Sequence, residues 1–144
     1  MRGARRALVA TVAAALLLGA CGGGTEHLTG TDWTLATLDG RGALPQTDAW
    51  IRFEDGSRFS GSTGCNALGG TWTSSGSDIA FSEISTTLIG CPGPVGEQEA
   101  AFNAALDAAG SYAVDGGTLL LMDGSGVLRI TFEARADPTP TAAP

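Results

Sequence analysis

The segment AWIRFEDGSRFSGSTGCN, residues 49–66, decides the fold of this chain. Ile51 and Phe53 alternate with residues of the opposite face, which is the two-residue period of a half-buried strand. The Asp-Gly pair at residues 55–56 favours a tight hairpin turn, because both central positions of that turn need a positive φ. Phe59 can face the core from the returning strand. The segment therefore predicts an antiparallel β-hairpin.

The same alternation, broken by Gly, Asp and Ser, recurs along most of the chain. In the last such segment Leu128, Ile130 and Phe132 share one face, as in an antiparallel strand with one buried side. The pattern predicts seven or eight strands, at residues 33–38, 49–54, 58–62, 69–73, 78–84, 111–114, 118–122 and 127–133.

Residues 96–109 change to a helical period. Phe102 and Leu106 are four residues apart and lie on one face of the predicted helix. Glu97 and Glu99 fall in its first turn, where the helix dipole favours acidic groups. We therefore expect an α+β fold, in which one helix packs on a curved antiparallel sheet that is partly closed into a barrel.

The N-terminal residues have the order of an export signal. A basic head precedes an apolar run at residues 7–18, which is too short to span a bilayer as a lone helix. Residues 18–21, Leu-Gly-Ala-Cys, resemble the lipobox of bacterial lipoproteins, in which the cysteine is acylated and the leader is cut before it. Two or three acyl chains anchor a protein stably. The alternatives are a leader cut elsewhere and a short anchor that is never cut.

This order divides the chain into a signal peptide at residues 1–20, a flexible tether at 21–27 behind acylated Cys21, a folded domain at 28–134 and a disordered tail at 135–144. We expect the protein outside the cytoplasm, lipid-anchored to the cell membrane, or to the outer membrane in a bacterium with two membranes. The folded part has the size of one domain.

Charge excludes one class of partner. Cleavage removes three arginines and leaves five basic against 15 acidic residues, a net charge near −10. Such a surface repels phosphates and anionic headgroups, so we expect no nucleic-acid binding, and membrane association through the lipid. We expect a monomer that needs no cofactor.

Cys65 and Cys91 remain once Cys21 is acylated. Two cysteines in an exported chain most often form a disulfide. The alternatives are two free thiols or half of a metal site, but zinc usually takes four ligands, and the sole histidine, His27, lies in the tether. We therefore expect a disulfide and no metal.

No catalytic apparatus is visible. A serine nucleophile needs a base in reach, and the domain at residues 28–134 contains neither histidine nor lysine. A pair of carboxylates could serve a glycosidase-like hydrolase, but most acidic residues fall in turns or on outward strand faces. The Asp-Gly-Ser-Gly segment at residues 123–126 fails as a calcium loop on ligand count, and is typical of a hairpin turn.

Residues 61–66 form the most informative internal cluster. Gly64 permits a tight backbone path, and Asn66 can bond to its own backbone or occupy a left-handed conformation. The two cysteines would join this cluster to the segment before the helix. We interpret it as a structural motif that completes the fold, and a binding site is the alternative.

The order of these pieces resembles the META domain family, to which HslJ-like bacterial lipoproteins belong. The Gly-Cys-Asn motif with a downstream cysteine carries most of the resemblance, and residues 88–90, Leu-Ile-Gly, depart mildly from the family pattern. The matching positions are Trp33, Leu35, Ile51, Phe53, Phe59, Gly61, Gly64, Cys65, Asn66, Thr86, Thr87, Cys91, Glu97, Glu99, Phe102, Leu106, Tyr112 and residues 119–121.

The resemblance implies a half-barrel of antiparallel strands with a helix, a link to envelope stress, and no established enzymatic activity. We therefore expect a non-enzymatic envelope protein that binds a protein partner or a small apolar ligand on the open side of the half-barrel. Trp50 and Trp72 are the candidate contact residues, although both could belong to the core. The alternatives are a hydrolase that acts on the cell wall through paired carboxylates, and a structural or pilot-like assembly protein.

Overall fold

The structure is a computed structural model that describes residues 28–135. Within that range, nine strands and one helix follow one another along the chain. They are β1 (Asp32–Leu38), β2 (Arg41–Gly42), β3 (Ala49–Glu54), β4 (Arg58–Thr63), β5 (Ala67–Ser75), β6 (Asp78–Thr86), α1 (Pro94–Asp107), β7 (Ala109–Asp115), β8 (Thr118–Asp123) and β9 (Leu128–Ala134).

The sheet closes on itself into a barrel of eight antiparallel strands. Strands β3 to β9 pair in chain order, and β1 pairs with β3 on one edge and with β9 on the other, while two-residue β2 extends β1 as a short hairpin. The curved antiparallel sheet with one helix is confirmed. The half-barrel is confirmed only in outline, because the β1–β9 ladder closes the side that was expected to be open.

Register shifts in two strands explain how the sheet bends far enough to close into a barrel. β1 has a register shift between Leu35 and Thr37 where it pairs with β9, and β5 has one between Gly69 and Thr71. Bulges of this kind increase local twist and bend a strand, which is what a small closed barrel requires. The alternation of side chains predicts which face is buried, but it does not reveal such bends.

The narrowest seam lies between β6 and β7. Asp78 and Ser111 are the registered pair there, and Tyr112 donates its backbone N–H to the Ser77 carbonyl at 2.8 Å. The chain between these two strands forms α1, which packs against β1, β4, β6 and β9. The helix therefore contacts strands on several sides of the barrel, and of these strands only β6 borders the seam. No helix within residues 28–135 is long and apolar enough to cross a membrane.

Aromatic rings fill the barrel. Phe53 meets the ring of Trp72 edge-on, with centroids 4.7 Å apart, and Phe59 meets Phe81 in the same way at 5.1 Å. From the helix, Phe102 packs on Phe132 of β9 with centroids 5.9 Å apart. The fully buried set also includes Leu28, Ile51, Leu106, Leu119, Leu121 and Ile130. The inward faces of the strands are thus occupied by side chains, so the interior is a packed core.

Several boundaries and the orientation of one residue differ from expectation: β2 was not predicted, and β5 and β7 are longer than the predicted strands at 69–73 and 111–114. The helix was expected at residues 96–109 but spans Pro94–Asp107, because Ala109 already begins β7. Leu128 was expected on the buried face with Ile130 and is instead 48% exposed. It pairs with Met122 next to a register shift in β8, which turns the start of β9 away from the core.

Candidate functional site

Cys65 and Cys91 join two loops that are distant in sequence. Cys65 lies between β4 and β5, and Cys91 lies in the loop of residues 87–93 that precedes α1. The structure places the two sulfur atoms at disulfide-bonding distance, with the Cα atoms 6.2 Å apart. That Cα separation lies within the range that disulfides span. The bridge would attach the 87–93 loop to the barrel.

Asn66 is only 2% exposed, and its hydrogen bonds hold the same two loops together. Its Oδ1 accepts from the Ile89 N–H at 2.7 Å and from the Thr87 hydroxyl at 2.9 Å, while its Nδ2 lies 3.1 Å from the Ile89 carbonyl. Its backbone N–H donates to Thr63 Oγ1 at 2.9 Å. Both backbone groups of Ile89 are therefore bonded to one buried side chain.

Glu99 brings the helix into this cluster. Asn66 Nδ2 lies 3.0 Å from Glu99 Oε1 and 2.8 Å from Oε2, and the Thr63 hydroxyl also donates to Oε2. The carboxylate thus accepts from neutral donors. The salt bridges formed within residues 28–135 do not include Glu99. A part-buried carboxylate is held here by the amide and hydroxyl groups around it.

The 87–93 loop displays two large apolar side chains. Leu88 is 95% exposed and Ile89 is 65% exposed. The other large apolar residues with high exposure among residues 28–135 are Val127 and Leu128, in and after the turn that follows β8. Since Asn66 fixes the Ile89 backbone, the loop presents its apolar side chains on a held backbone.

Gly64 and Gln98 form a second attachment of the helix. Gly64 has φ +93°, and a Cβ at this position would lie 2.9 Å from Thr47 Cβ, so the tight path requires glycine. Gln98 Nε2 donates to Thr47 Oγ1 at 3.1 Å, and its Oε1 accepts from the Leu44 N–H at 2.7 Å. These contacts attach the helix beside Gly64, and the interpretation of Gly64 and Asn66 as a structural motif stays a prediction.

The two candidate tryptophans occupy different places. Trp50 is half-buried on the outer face of β3, between Thr34 and Ser62 of the neighbouring strands. Trp72 is 7% exposed, contacts Phe53 and donates its Nε1–H to the Arg58 carbonyl at 3.0 Å. Trp72 therefore belongs to the core, and the structure does not bring the two rings together as one contact surface.

The remaining site predictions concern the ends of the chain. The signal peptide, acylated Cys21, the tether with His27 and most of the tail lie outside the described residues. Arg135, the first residue of the expected tail, donates its backbone N–H to the Asp32 carbonyl at 2.7 Å and pairs with the Asp48 carboxylate.

Asp39 and Asp123 share Arg129 as a common cation. Arg129 Nε pairs with Asp39, and its Nη1 lies 3.7 Å from Asp123 Oδ2. The backbone N–H groups of Val127 and Ser125, together with Arg129, hold the pKa of Asp123 below its ordinary value. A general acid of a glycosidase needs a raised pKa, so Asp123 does not suit that role.

The sequence analysis did not identify three residues of this site, which are Glu99, Leu88 and Ile89. Glu99 was assigned to the helix dipole, whereas it faces the cysteines, and only Glu97 remains an acidic residue of the first turn. Leu88 and Ile89 were noted only as a departure from the family pattern. Their exposure could have been predicted from the sequence. They lie in a segment rich in Thr, Gly and Pro, which has no strand or helix periodicity that would bury two large apolar side chains.

Comparisons with known proteins agree on the fold. The family model described as META domain matches residues 26–136. An NMR structure of a protein from Burkholderia xenovorans is similar, with a TM-score of 0.64 and 23% identity over 78% of this chain and 87% of that one. A second NMR structure has a TM-score of 0.63 and 19% identity, covering 76% and 93% of the two chains.

A crystal structure of a DUF4847 family protein from Bacteroides vulgatus is also similar, with a TM-score of 0.60 and 18% identity over 78% and 98% of the two chains. A search of curated proteins gave no significant match. At these identities the solved structures support the fold alone.

Proposed function

Because the chain belongs to the META domain family, we propose that it is a lipid-anchored, non-enzymatic binding protein of the bacterial envelope, and that the 87–93 loop contacts its partner. One observation carries the proposal. Leu88 and Ile89 expose large apolar side chains on a loop that Asn66 and the Cys65–Cys91 pair attach to the barrel.

A fixed apolar loop suits binding for two reasons. Burial of exposed apolar area contributes about 25 cal/mol per Å². A loop that is already held by hydrogen bonds loses little conformational entropy when a partner binds, which favours affinity. The Ile89 backbone, bonded at 2.7 and 3.1 Å to Asn66, meets this condition.

The position of the loop favours a protein over the bilayer as its occupant. The described chain begins near the far end of β3, where Gly30 donates its N–H to the Phe53 carbonyl at 3.0 Å. The 87–93 loop lies at the other end, where Ala49 pairs with Thr63. These ends are about 13 Å apart along β3. A tether attached beside Phe53 would therefore place the loop at the end of β3 opposite the attachment point, where a protein partner could reach it.

The net charge of the domain indicates which kind of partner surface would complement it. Residues 28–135 carry five arginines against 13 acidic residues, a net charge of −8. Three of these arginines are engaged in salt bridges with aspartates. An apolar pocket bordered by basic side chains would complement an apolar loop on a domain of this net charge. A small apolar ligand inside the barrel is disfavoured, because aromatic side chains fill the interior.

The anchor is tested by replacing Cys21→Ser and following radiolabelled palmitate. We expect the label on the wild-type chain and its loss in the variant. Equal incorporation in both chains would contradict a lipid anchor at Cys21, whatever the outcome of the partner experiment.

The contact surface is tested with two exposed apolar positions. Leu88→Asp and Val127→Asp each place a charge on a side chain that is more than half exposed, so both variants should fold. After crosslinking in the envelope of the source organism, we expect Leu88→Asp to lose the protein recovered with the wild type and Val127→Asp to retain it. Equal recovery would contradict the proposal, and recovery of one large envelope assembly would favour the pilot-like alternative.

A further inference from the structure

We propose that the chain, once its cysteine pair is reduced, binds a thiophilic divalent cation such as Zn²⁺ through Cys65, Cys91 and Glu99. One donor atom from each of these residues lies within 4.8 Å of the other two. The three residues come from the β4–β5 turn, the 87–93 loop and α1, and the fold brings them together. This inference does not depend on the proposed partner surface.

The donor set fits zinc chemistry. Thiolate sulfur binds Zn²⁺ at about 2.3 Å and carboxylate oxygen at about 2.0–2.2 Å, and three protein ligands leave the fourth tetrahedral position to water. Donors of a tetrahedral site at those lengths are separated by roughly 3.3–3.8 Å. Two thiols that are no longer bonded move apart toward this separation, so the cation needs only small side-chain movements.

The surroundings of Glu99 provide an independent indication. Its carboxylate is part-buried, and the salt bridges of residues 28–135 leave it without a cationic partner. The bonds from Asn66 and Thr63 orient the carboxylate but supply no full positive charge. An ionised carboxylate has about four lone-pair positions, so capacity remains for a cation. A divalent ion would supply the missing charge.

Asn66 would act as the positioning residue of this site. Its Nδ2 lies 3.4 Å from Cys91 Sγ and 3.9 Å from Cys65 Sγ, in addition to its contact with Glu99. Bonds from an amide to a thiolate and to a ligating carboxylate fix ligand orientation, as outer partners of metal ligands do. Since Nδ2 carries two hydrogens, one would stay on Glu99 and the other would pass from the Ile89 carbonyl to a thiolate, while Oδ1 would still hold the loop through Thr87 and Ile89.

Redox state controls the site. A two-electron reductant such as a dithiol converts the Cys65–Cys91 disulfide into two thiols and is itself oxidised to a disulfide. Zn²⁺ then displaces the two thiol protons, which are released to solvent, and forms two sulfur–zinc bonds. The oxidised pair offers no thiolate. Cation binding is thus restricted to the reduced chain.

The test uses Co²⁺ as a spectroscopic probe of the full chain carrying Cys21→Ser, which removes the third thiol. The reductant is a phosphine. It converts the disulfide into two thiols and is itself oxidised to a phosphine oxide, whose oxygen comes from water. We expect a thiolate-to-cobalt charge-transfer band and tetrahedral visible bands in the reduced chain, displacement by Zn²⁺, and no band in the oxidised chain. Zn²⁺ should also protect both thiols from alkylation, as measured by mass spectrometry.

Matched carboxylate variants identify the third ligand. Glu99→Gln should weaken Co²⁺ binding by at least about tenfold, whereas Glu97→Gln, an exposed neighbour on the same helix, should not. Equal affinity of the two variants would overturn the proposal. So would the absence of a band, or a reduced chain that loses its circular-dichroism spectrum and does not regain it with Zn²⁺.

Discussion

Asn66 Nδ2 lies 3.0 and 2.8 Å from the two carboxylate oxygens of Glu99, and this contact joins the β4–β5 turn to the helix. The same amide group bonds to the backbone of Ile89 on both sides, through Oδ1 and Nδ2. One buried side chain thus connects the barrel, the helix and the apolar loop. The stability of the domain and the presentation of Leu88 and Ile89 therefore depend on the same residue.

Replacing Asn66→Ala should destabilise the domain by about 2–3 kcal/mol, because the Glu99 carboxylate and the Ile89 backbone groups lose a partner where water has little access. The free energy of unfolding, measured in urea, tests this. Ser60→Ala removes a hydrogen bond between exposed side chains, that of Ser60 to Glu54, and is the control. A loss below about 0.5 kcal/mol in Asn66→Ala, as expected of the control, would contradict the role of Asn66.

Replacing Cys91→Ser should lower the free energy of unfolding by about 3–4 kcal/mol, because the bridge closes a loop of 26 residues in the unfolded chain. The double variant Cys65→Ser with Cys91→Ser should be about as stable as the single variant. Intact-mass measurement should find the wild-type chain lighter than its reduced form by two hydrogen atoms. Equal masses would show that the bridge is not formed.

Replacing Phe102→Ala should cost about 3–5 kcal/mol, because the ring is fully buried and packs on Phe132. Leu88→Ala should change stability by less than about 0.5 kcal/mol, since that side chain is exposed. Thermal and urea unfolding of both variants separate the residue that holds the fold from the residue that we assign to binding. Similar losses in both would mean that Leu88 packs against the domain.

Asp123 should make stability depend on pH. Backbone N–H groups of Val127 and Ser125 hold its pKa below the ordinary value of 3.8. A depressed folded-state pKa contributes stability that is complete above the unfolded value and is lost as pH falls through the folded value. The stability advantage of the wild type over Asp123→Asn should therefore be present at neutral pH and decrease in strong acid. An advantage independent of pH would contradict this.

Most of the strands were predictable because apolar residues of one face alternate with polar residues of the other, whereas the two exposed residues of β2 carry no such pattern. Ile79 and Phe81 of β6, expected on one face, are both buried, and so are Ile51 and Phe53 of β3. Barrel closure was not predictable in the same way. It depends on bulges in β1 and β5 and on the pairing of β1 with β9, which is a contact between the two ends of the domain.

The cluster around Asn66, which includes Cys65, Cys91 and Glu99, was predictable only in part. Two cysteines and Asn66 beside a glycine-rich turn indicated where loops would meet. The orientation of Glu99 toward the cysteines depends on how α1 packs against β4 and β6, which the helical period of the sequence does not give. The composition around Leu88 indicates its exposure, but the bonds from Asn66 to Thr87 and Ile89, which hold the backbone on either side of it, join distant segments and are not contained in any local pattern.

The most direct test of the account replaces Leu88 by a photo-crosslinking amino acid in the envelope of the source organism, with the same replacement of Val127 as the control. We predict a single protein adduct from position 88, absent from position 127 and suppressed by excess wild-type domain but not by Leu88→Asp. Adducts of the same protein from both positions, or an adduct with lipid alone from position 88, would contradict the assignment of the 87–93 loop as the partner surface.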